Sequence, residues 1–473
     1  MNFKFGSLIR NFSLSLFANI VSTLISFLTI IVIPKVVGAT DFGLFQLYSF
    51  YSSYVIFFRF GHADGIYLRL GGQEFNNINK KSLATQFWIL TIFETIIALI
   101  LIAFGFKFVE NLDRLFILVI VGLSLTLIIP RTLLQVVLQS TNRISEYAIS
   151  IIFERVIYGI FIFVLVFLET VNYRTLILID FFSKTLSLFY VMLICKDIVF
   201  IRVNRLMIGI YEVIDNMKIG INLMLSSIVS MLIIGVIRFG IERRWSIETF
   251  GTVSLTLSVS NLLVGLVGAL GIVIYPVLRK ITSENLPKVF RITNVLLGFI
   301  LFCSLLVYFP LSEILRQWLP KYSDGLKYMA ILFPIYIYES KMSILIIPFY
   351  NSLRIEKLML KINAISLFLS VFITMILVIY IGNLTLLVLL ITVLVIYRSQ
   401  VSGIVLMRIL NLKIDNSIFY DLILTICFIL SAWILPSLIG SLVYFLFLVI
   451  YTYSYRIKIA ESIKVFINLR VDI

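Results

Sequence analysis

Eleven ionisable side chains sit inside apolar stretches of this sequence: Arg59, Arg131, Arg155, Lys184, Arg238, Lys341 and Arg398, against Glu94, Glu154, Asp180 and Glu339. A charge at the centre of a membrane helix costs about 2.5–3.5 kcal/mol on insertion scales, so such groups persist where they face a cavity, a partner or a transport pathway. Seven bases against four acids leave a surplus of three positive charges, where internal pairing alone gives balance. The fitting guest is an anion. A guanidinium is planar and stays charged when desolvated, which suits the oxygens of a phosphate or diphosphate.

The eleven do not read alike. Arg59 and Arg238 lie near span ends, where a long base either snorkels to the headgroups or turns inward. Arg131, Arg155, Lys341 and Arg398 lie deeper and read as facing a cavity. Asp180 and Lys184 are four apart on one helix face, so an internal ion pair and a substrate contact are both open. Glu154 points about 100° away from Arg155 around the helix, so the two have different partners. Glu94 and Glu339 have no base at helical spacing; with Glu154 and Asp180 they form the set available for proton or sodium coupling, the alternative being cross-helix salt bridges. The single histidine, His62, falls where the second span leaves the membrane and reads as an interfacial ring rather than a pH switch. Cys195, Cys303 and Cys427 lie in apolar stretches without a CxxC pair, so they are packing residues, and no metal or other cofactor is expected.

The elements that must position these groups are membrane helices. The chain has 473 residues, 61% hydrophobic and 13% charged, with a mean hydropathy of +1.10; soluble domains hold roughly 45–50% apolar residues. Apolar runs long enough to cross about 30 Å of hydrocarbon recur throughout. Fourteen are expected, at 12–34, 41–62, 83–106, 115–139, 147–168, 173–195, 217–240, 250–275, 289–310, 327–349, 360–382, 383–407, 418–436 and 438–455. They read as helices, because a barrel shows alternation over roughly ten-residue segments. The net charge of +15 sorts by side: twenty-three loop and tail bases against nine place both termini in the cytoplasm and require an even span count. This distribution accounts for the positive charge without nucleic acid. The basic N-terminal segment leads into a first span too long for a signal peptide, so it is expected to remain as an anchor.

Two halves are recognisable. Asp41-Phe42-Gly43 is echoed by Thr249-Phe250-Gly251, 208 residues on, and at that same offset Ile66-Tyr67 falls on Ile274-Tyr275, with Arg69 and Arg279 following. A same-orientation repeat of six helices implies two six-helix lobes around a central cavity. The expected division is 1–200, 201–415 and a C-terminal helix pair with a cytoplasmic tail at 416–473. The connection at 196–216, apolar among charges, is expected to lie flat on the membrane interface and to join the two halves. The longest outer loop, 311–326, leaves no room for a soluble catalytic domain, and no P-loop, HExxH or GxSxG motif occurs, so no enzyme is expected.

Residues 61–81, Gly-His-Ala-Asp-Gly-Ile-Tyr-Leu-Arg-Leu-Gly-Gly-Gln-Glu-Phe-Asn-Asn-Ile-Asn-Lys-Lys, resemble the stretch after the second helix in bacterial polysaccharide (O-antigen or capsule type) flippases of the multidrug/oligosaccharidyl-lipid/polysaccharide exporter superfamily. Residues 34–46, with Gly38 and Phe42-Gly43, are similar to that family's first outer turn, and the strong resemblance covers about 10–85. It implies alternating access. A cationic cavity would take an undecaprenyl-diphosphate-linked oligosaccharide repeat unit from the inner leaflet of the cell inner membrane and present it to the outer leaflet for lipopolysaccharide or capsule assembly. A downstream polysaccharide polymerase is an implied partner and the protein is expected to be a monomer; without a nucleotide site, the energy is expected to come from an H+ or Na+ gradient, as in an antiporter, or from downstream consumption of the product. Asp64, Gly65, Arg69, Gly71 and Gly72 match the family pattern. Asp64, Gly65, Gly71 and Gly72 read as gate or turn residues, and Arg69 as a base meeting lipid phosphate at the cytoplasmic entrance. The alternatives are a cation-coupled multidrug exporter, which would favour acids in its cavity, and a membrane glycan polymerase, which would need a larger outer loop.

Overall fold

The computed structural model describes residues 5–203, 205–278, 285–413 and 417–469, and the side chains among them except 5–16, 266, 268–278 and 465–469. Every element is a helix. In order these are α1 (Phe5–Val36), α2 (Ala39–Ser53), a 3-10 turn (Val55–Arg59), α3 (His62–Leu70), α4 (Lys80–Phe108), α5 (Leu112–Ser140), α6 (Ile144–Phe167), α7 (Tyr173–Ile194), α8 (Lys196–Val199) and α9 (Leu206–Arg244). Then follow α10 (Ile247–Leu278), α11 (Leu286–Ser304), α12 (Tyr308–Trp318), α13 (Ser323–Leu326), α14 (Met329–Leu332), α15 (Ile335–Lys341), α16 (Ile347–Ser352), α17 (Glu356–Ile376), α18 (Leu384–Ile409), α19 (Ser417–Ile434) and α20 (Ser437–Leu469). Large apolar side chains such as Phe163, Phe167 and Leu438 are exposed while Glu94 and Arg398 are buried, the inside-out distribution of a protein whose surroundings are hydrocarbon. The chain is a multi-pass membrane protein.

Among the described residues thirteen helical runs are long and apolar enough to cross a bilayer. The fourteenth expected span, 41–62, is instead broken: α2 stops at Ser53, the 3-10 turn follows, and Phe60 (φ 47°) and Gly61 (φ 77°) both take left-handed conformations before α3 starts. A left-handed pair cannot continue a right-handed helix. Several starts are written in the sequence as caps. Asn79 accepts from the Ser82 amide, Asn111 from Asp113 and Arg114, and Asn172 forms a capping box with Thr175. Leu70 to Gln73 is a turn closed by the Gln73 amide donating to the Leu70 carbonyl at 3.0 Å, with Gly72 at φ 90°, where only glycine is unstrained.

In the connection 196–216, Ile198 and Val199 are buried with the α4–α5 core, Phe200, Leu206, Met207 and Tyr211 are exposed, and from Leu206 onward the chain is the 39-residue helix α9. One expectation for the connections is corrected. The outer segment 311–326 is helical, with α11 and α12 forming one apolar run from Leu286 to Trp318.

The chain divides into two compact units, residues 1–228 and 229–473. In the first, α5 is central, touching α2, α3, α4, α6 and α7; its Leu133, Leu134, Val137 and Leu138 anchor a core with Phe87, Leu90, Val191 and Cys195. In the second, the segment from Met329 to Ser352 is the most buried, passing between α10 and α18, with a π-helical turn at Met342–Ile346. Helix positions repeat between the units: Ala39 and Ile247 open their helices 208 residues apart, and Val36 and Arg244 close the preceding ones at that same spacing. Phe42 and Phe250 are equivalently buried. The echo of Ile66-Tyr67 by Ile274-Tyr275 and Arg279 concerns side chains outside those described.

Candidate functional site

The first unit holds an open cavity of about 550 Å3, framed by α1, α2, α5, α6 and α7. Five of the eleven charged residues identified in the sequence converge on it: Arg131 from α5, Glu154 and Arg155 from α6, and Asp180 and Lys184 from α7. Hydroxyls of Ser26, Thr29, Ser49, Ser52 and Ser53 and the Gln46 amide line the rest. α5, α6 and α7 each bring one or two charged side chains to the middle of an apolar segment, α1 and α2 supply the hydroxyls and the amide, and packing around α5 gathers them.

Within the cavity the charges are partly matched. Arg131 is ion-paired with Glu154, so Glu154 and its neighbour Arg155 do look to different partners. Lys184 and Asp180 form the one-turn pair at 2.5 Å, and Asp180 also accepts from the Tyr48 hydroxyl at 2.7 Å. Three bases and two acids therefore line the cavity, and among the described residues Arg155 is the base of the three without a carboxylate within 4.0 Å. Tyr48 was not separable by sequence from the many aromatics at span ends; only the fold sets its hydroxyl against Asp180.

The remaining sequence candidates lie elsewhere. Arg59 and Asp64 form a 3.0 Å ion pair across the kink at Phe60-Gly61. Arg69 donates to the Asn216 side chain at 3.0 Å and meets Asp215 at 3.2 Å. In the second unit, Arg398 grips both Glu339 oxygens at 2.7 and 2.8 Å and donates to Ser230, which places Glu339 in a cross-helix bridge. Lys341, the residue before the π-helical turn, is paired with Asp421 of α19, and both side chains are about 6% exposed. Asp421 belongs with the buried acids and lowers the surplus of bases from three to two. Arg238 donates to Ser254 at 2.9 Å and lies over the Phe250 ring. Glu94 on α4 is fully buried, and among the described residues neither of its carboxylate oxygens has a hydrogen-bond partner.

His62 is not an interfacial ring. It is 1% exposed, and its Nε2 meets Gln86 Oε1 at 2.9 Å, an oxygen that also accepts from Asn216 at 2.8 Å. Gln86 donates in turn to Ser82 at 3.0 Å and Glu212 at 3.3 Å. This buried chain ties α3, α4 and α9 together. It is reached because α3 and α9 touch backbone to backbone at glycines: a Cβ on Gly65 would lie 1.9 Å from the Asn216 carbonyl oxygen, and one on Gly220 would lie 2.0 Å from that of Gly61. The gate-or-turn residues thus split in role, with Gly65 a contact point, Gly71 and Gly72 a turn, and Asp64 the partner of Arg59.

Among curated proteins no sequence matches this chain. Two solved structures are similar over 89% of it, each at 12% identity. One is an outward-facing multidrug resistance MATE family transporter of the MOP superfamily, covered over 96% of its length with a TM-score of 0.49. The other is a MOP superfamily transporter from Pyrococcus furiosus described as having a binding pocket of reversed polarity, covered over 94% with a TM-score of 0.35. The family described as polysaccharide biosynthesis protein matches residues 8–282, more than half of the chain and the same N-terminal region that carries the resemblance noted in the sequence; the protein belongs to that family.

Proposed function

We propose that this chain is a flippase: it moves a lipid-diphosphate-linked oligosaccharide from the cytoplasmic to the outer leaflet of the bacterial inner membrane by alternating access, supplying surface polysaccharide assembly. Undecaprenyl diphosphate is the natural carrier and a polysaccharide polymerase the natural consumer; both termini face the cytoplasm if the broken segment α2–α3 crosses as well and makes the number of crossings even. The observation that carries this reading is the hydroxyl-rich cavity with three bases and two acids, in which Arg155 alone has no carboxylate in reach. A diphosphate needs charge-assisted donors, and a guanidinium stays charged and offers several of them in one plane. A cation exporter would need open carboxylates there; Glu154 and Asp180 are both occupied by bases.

The test is transport by the purified chain in liposomes, read as protection of a fluorescent short-chain lipid-diphosphate oligosaccharide from a membrane-impermeant quencher. Wild type is expected to protect the probe, and Arg155→Ala to do so about tenfold or more slowly, the loss of one charged hydrogen bond of about 1.5–3 kcal/mol. Arg131→Ala is a poorer test, because it also strands Glu154. Transport of organic cations in place of the probe would replace this reading with that of a drug exporter.

Ion coupling is assigned to Glu94, the carboxylate of the four that has no hydrogen-bond partner. A buried acid without a base is held for its exchangeable proton or cation rather than for stability. Glu94→Gln is expected to leave the folded yield unchanged and to make probe transport insensitive to imposed proton and sodium gradients. Retained gradient dependence in that variant would move the coupling site elsewhere.

A further inference from the structure

A second cavity in the first unit, of about 360 Å3, opens where α3, the turn after it, and the starts of α4 and α9 meet. Its volume falls in the range of about 300–1,000 Å3 that small-molecule sites occupy. The chemistry of its wall is unlike that of the cavity at Arg155. Donors come from Arg69, Gln73 and Asn77, the acceptor is the Glu212 carboxylate, and Ile66 and Leu83 supply an apolar surface. Glu212 lines the cavity and is held through one oxygen, Oε2, which accepts from both Ser82 and Gln86. Arg69 is likewise held by Asn216, which also lines the cavity, and by Asp215. The polar groups are thus oriented before a ligand arrives, which lowers the ordering cost of binding.

We propose that this cavity is a carbohydrate site, taking one pyranose ring of the transported oligosaccharide. A sugar ring presents vicinal hydroxyls that donate and accept around its edge and a C–H face on each side. Amide donors, one carboxylate acceptor and an apolar patch complement both features. A diphosphate is disfavoured, since the one base is already paired and the Glu212 carboxylate faces the same space. A metal cation is disfavoured too, because a single carboxylate beside amide and guanidinium donors makes no coordination shell. The proposal deepens the flippase reading and rests on it for the identity of the sugar's carrier. A site that hydrogen-bonds hydroxyls rejects ligands that lack them, so this cavity supplies the discrimination between sugar-bearing and bare lipid diphosphate that the phosphate-directed Arg155 lacks.

Two measurements test it on the full chain. In lipid nanodiscs, saturation-transfer NMR with a panel of free hexoses and N-acetylhexosamines is expected to show transfer to at least one sugar. That signal should fall at least fivefold in Glu212→Gln and in Asn77→Ala; the latter changes an exposed loop residue and spares the packed helices. In liposomes, the transport ratio of sugar-bearing to sugar-free lipid diphosphate is expected to exceed about five in wild type and to approach one in both variants. No transfer to any sugar, or equal transfer in wild type and variants, overturns the site. Sugar binding that depends on Glu212 and Asn77 while neither lipid probe moves retains the site and removes the flippase reading.

Discussion

Alanine at Gly65 is expected to cost more than about 3 kcal/mol, seen as a sharp loss of folded protein in detergent-solubilised membranes and a lowered unfolding temperature in whatever is recovered. The added Cβ would lie 1.9 Å from the carbonyl oxygen of Asn216, and 2.6 and 2.9 Å from that residue's carbonyl carbon and Cα. These are backbone atoms of a long helix, so no side-chain rotation relieves the clash. Overpacking of side chains in cores costs typically 1–3 kcal/mol, and a backbone contact stands at or beyond the upper end. Separating α3 from α9 also opens the buried His62–Gln86–Asn216 hydrogen bonds, leaving polar groups without partners in an apolar surround. Gly220→Ala meets the opposing backbone at 2.0 Å and is expected to act alike; because both substitutions break one contact, the double variant should cost much less than the sum. The control is Gly403→Ala in α18, where the new Cβ would touch only Ile346 Cδ1 at 4.0 Å. There alanine should be neutral or stabilising by about 0.5–1 kcal/mol, the ordinary gain of helix propensity. Equal unfolding temperatures for Gly65→Ala and Gly403→Ala would show that α3 and α9 are not in backbone contact.

The difference between what the sequence discloses and what it hides follows from the physics of each signal. Hydropathy is a property of long windows, so thirteen spans and their approximate ends are legible, and a charge inside such a window is conspicuous whatever it touches. That is why Arg131, Glu154, Arg155, Asp180 and Lys184 are identifiable before their common cavity is. Their pairing is not, apart from the one-turn pair Asp180–Lys184, because Arg131 and Glu154 meet across two helices at a separation no local periodicity encodes. The break in the second span is hidden for another reason. Its apolar content runs through Tyr54 to Phe60, and Phe60 takes a left-handed conformation that a bulky residue does not favour by itself. Glu212 and Asn216 belong to a stretch whose mixed charge resembles a surface connection; they become interior because Gly65 and Gly220 let the helices close. Asp421 lies near the start of its span, where a carboxylate is unremarkable, and only the packing of α19 against the segment that holds Lys341 buries it.

That placement of Asp421 sets the second large effect. Its carboxylate takes the Lys341 ammonium with both side chains about 6% exposed, while its backbone carbonyl accepts from Thr425 at 2.8 Å and from the Tyr338 hydroxyl at 3.3 Å. Deleting one member of a buried pair leaves the other charge desolvated and uncompensated, at a cost of about 3–5 kcal/mol, whereas replacing both with apolar groups of similar volume is often neutral. Asp421→Ala is therefore expected to destabilise the second unit by about that amount, and Lys341→Met by a similar amount through the stranded aspartate. The double variant Lys341→Met/Asp421→Leu should recover most of the loss, giving a coupling energy of several kcal/mol in a double-mutant cycle. Transport separates two roles for Lys341. If the pair only fastens α19 to the lobe, the double variant moves the lipid-diphosphate probe at close to the wild-type rate. If Lys341 leaves Asp421 to meet the diphosphate during the cycle, stability returns and transport does not, and Lys341 joins Arg155 among the bases that handle substrate. Its position at the entry to the π-helical turn Met342–Ile346 bears on that choice, since such turns recur at functional sites and can slip register without unfolding the helix.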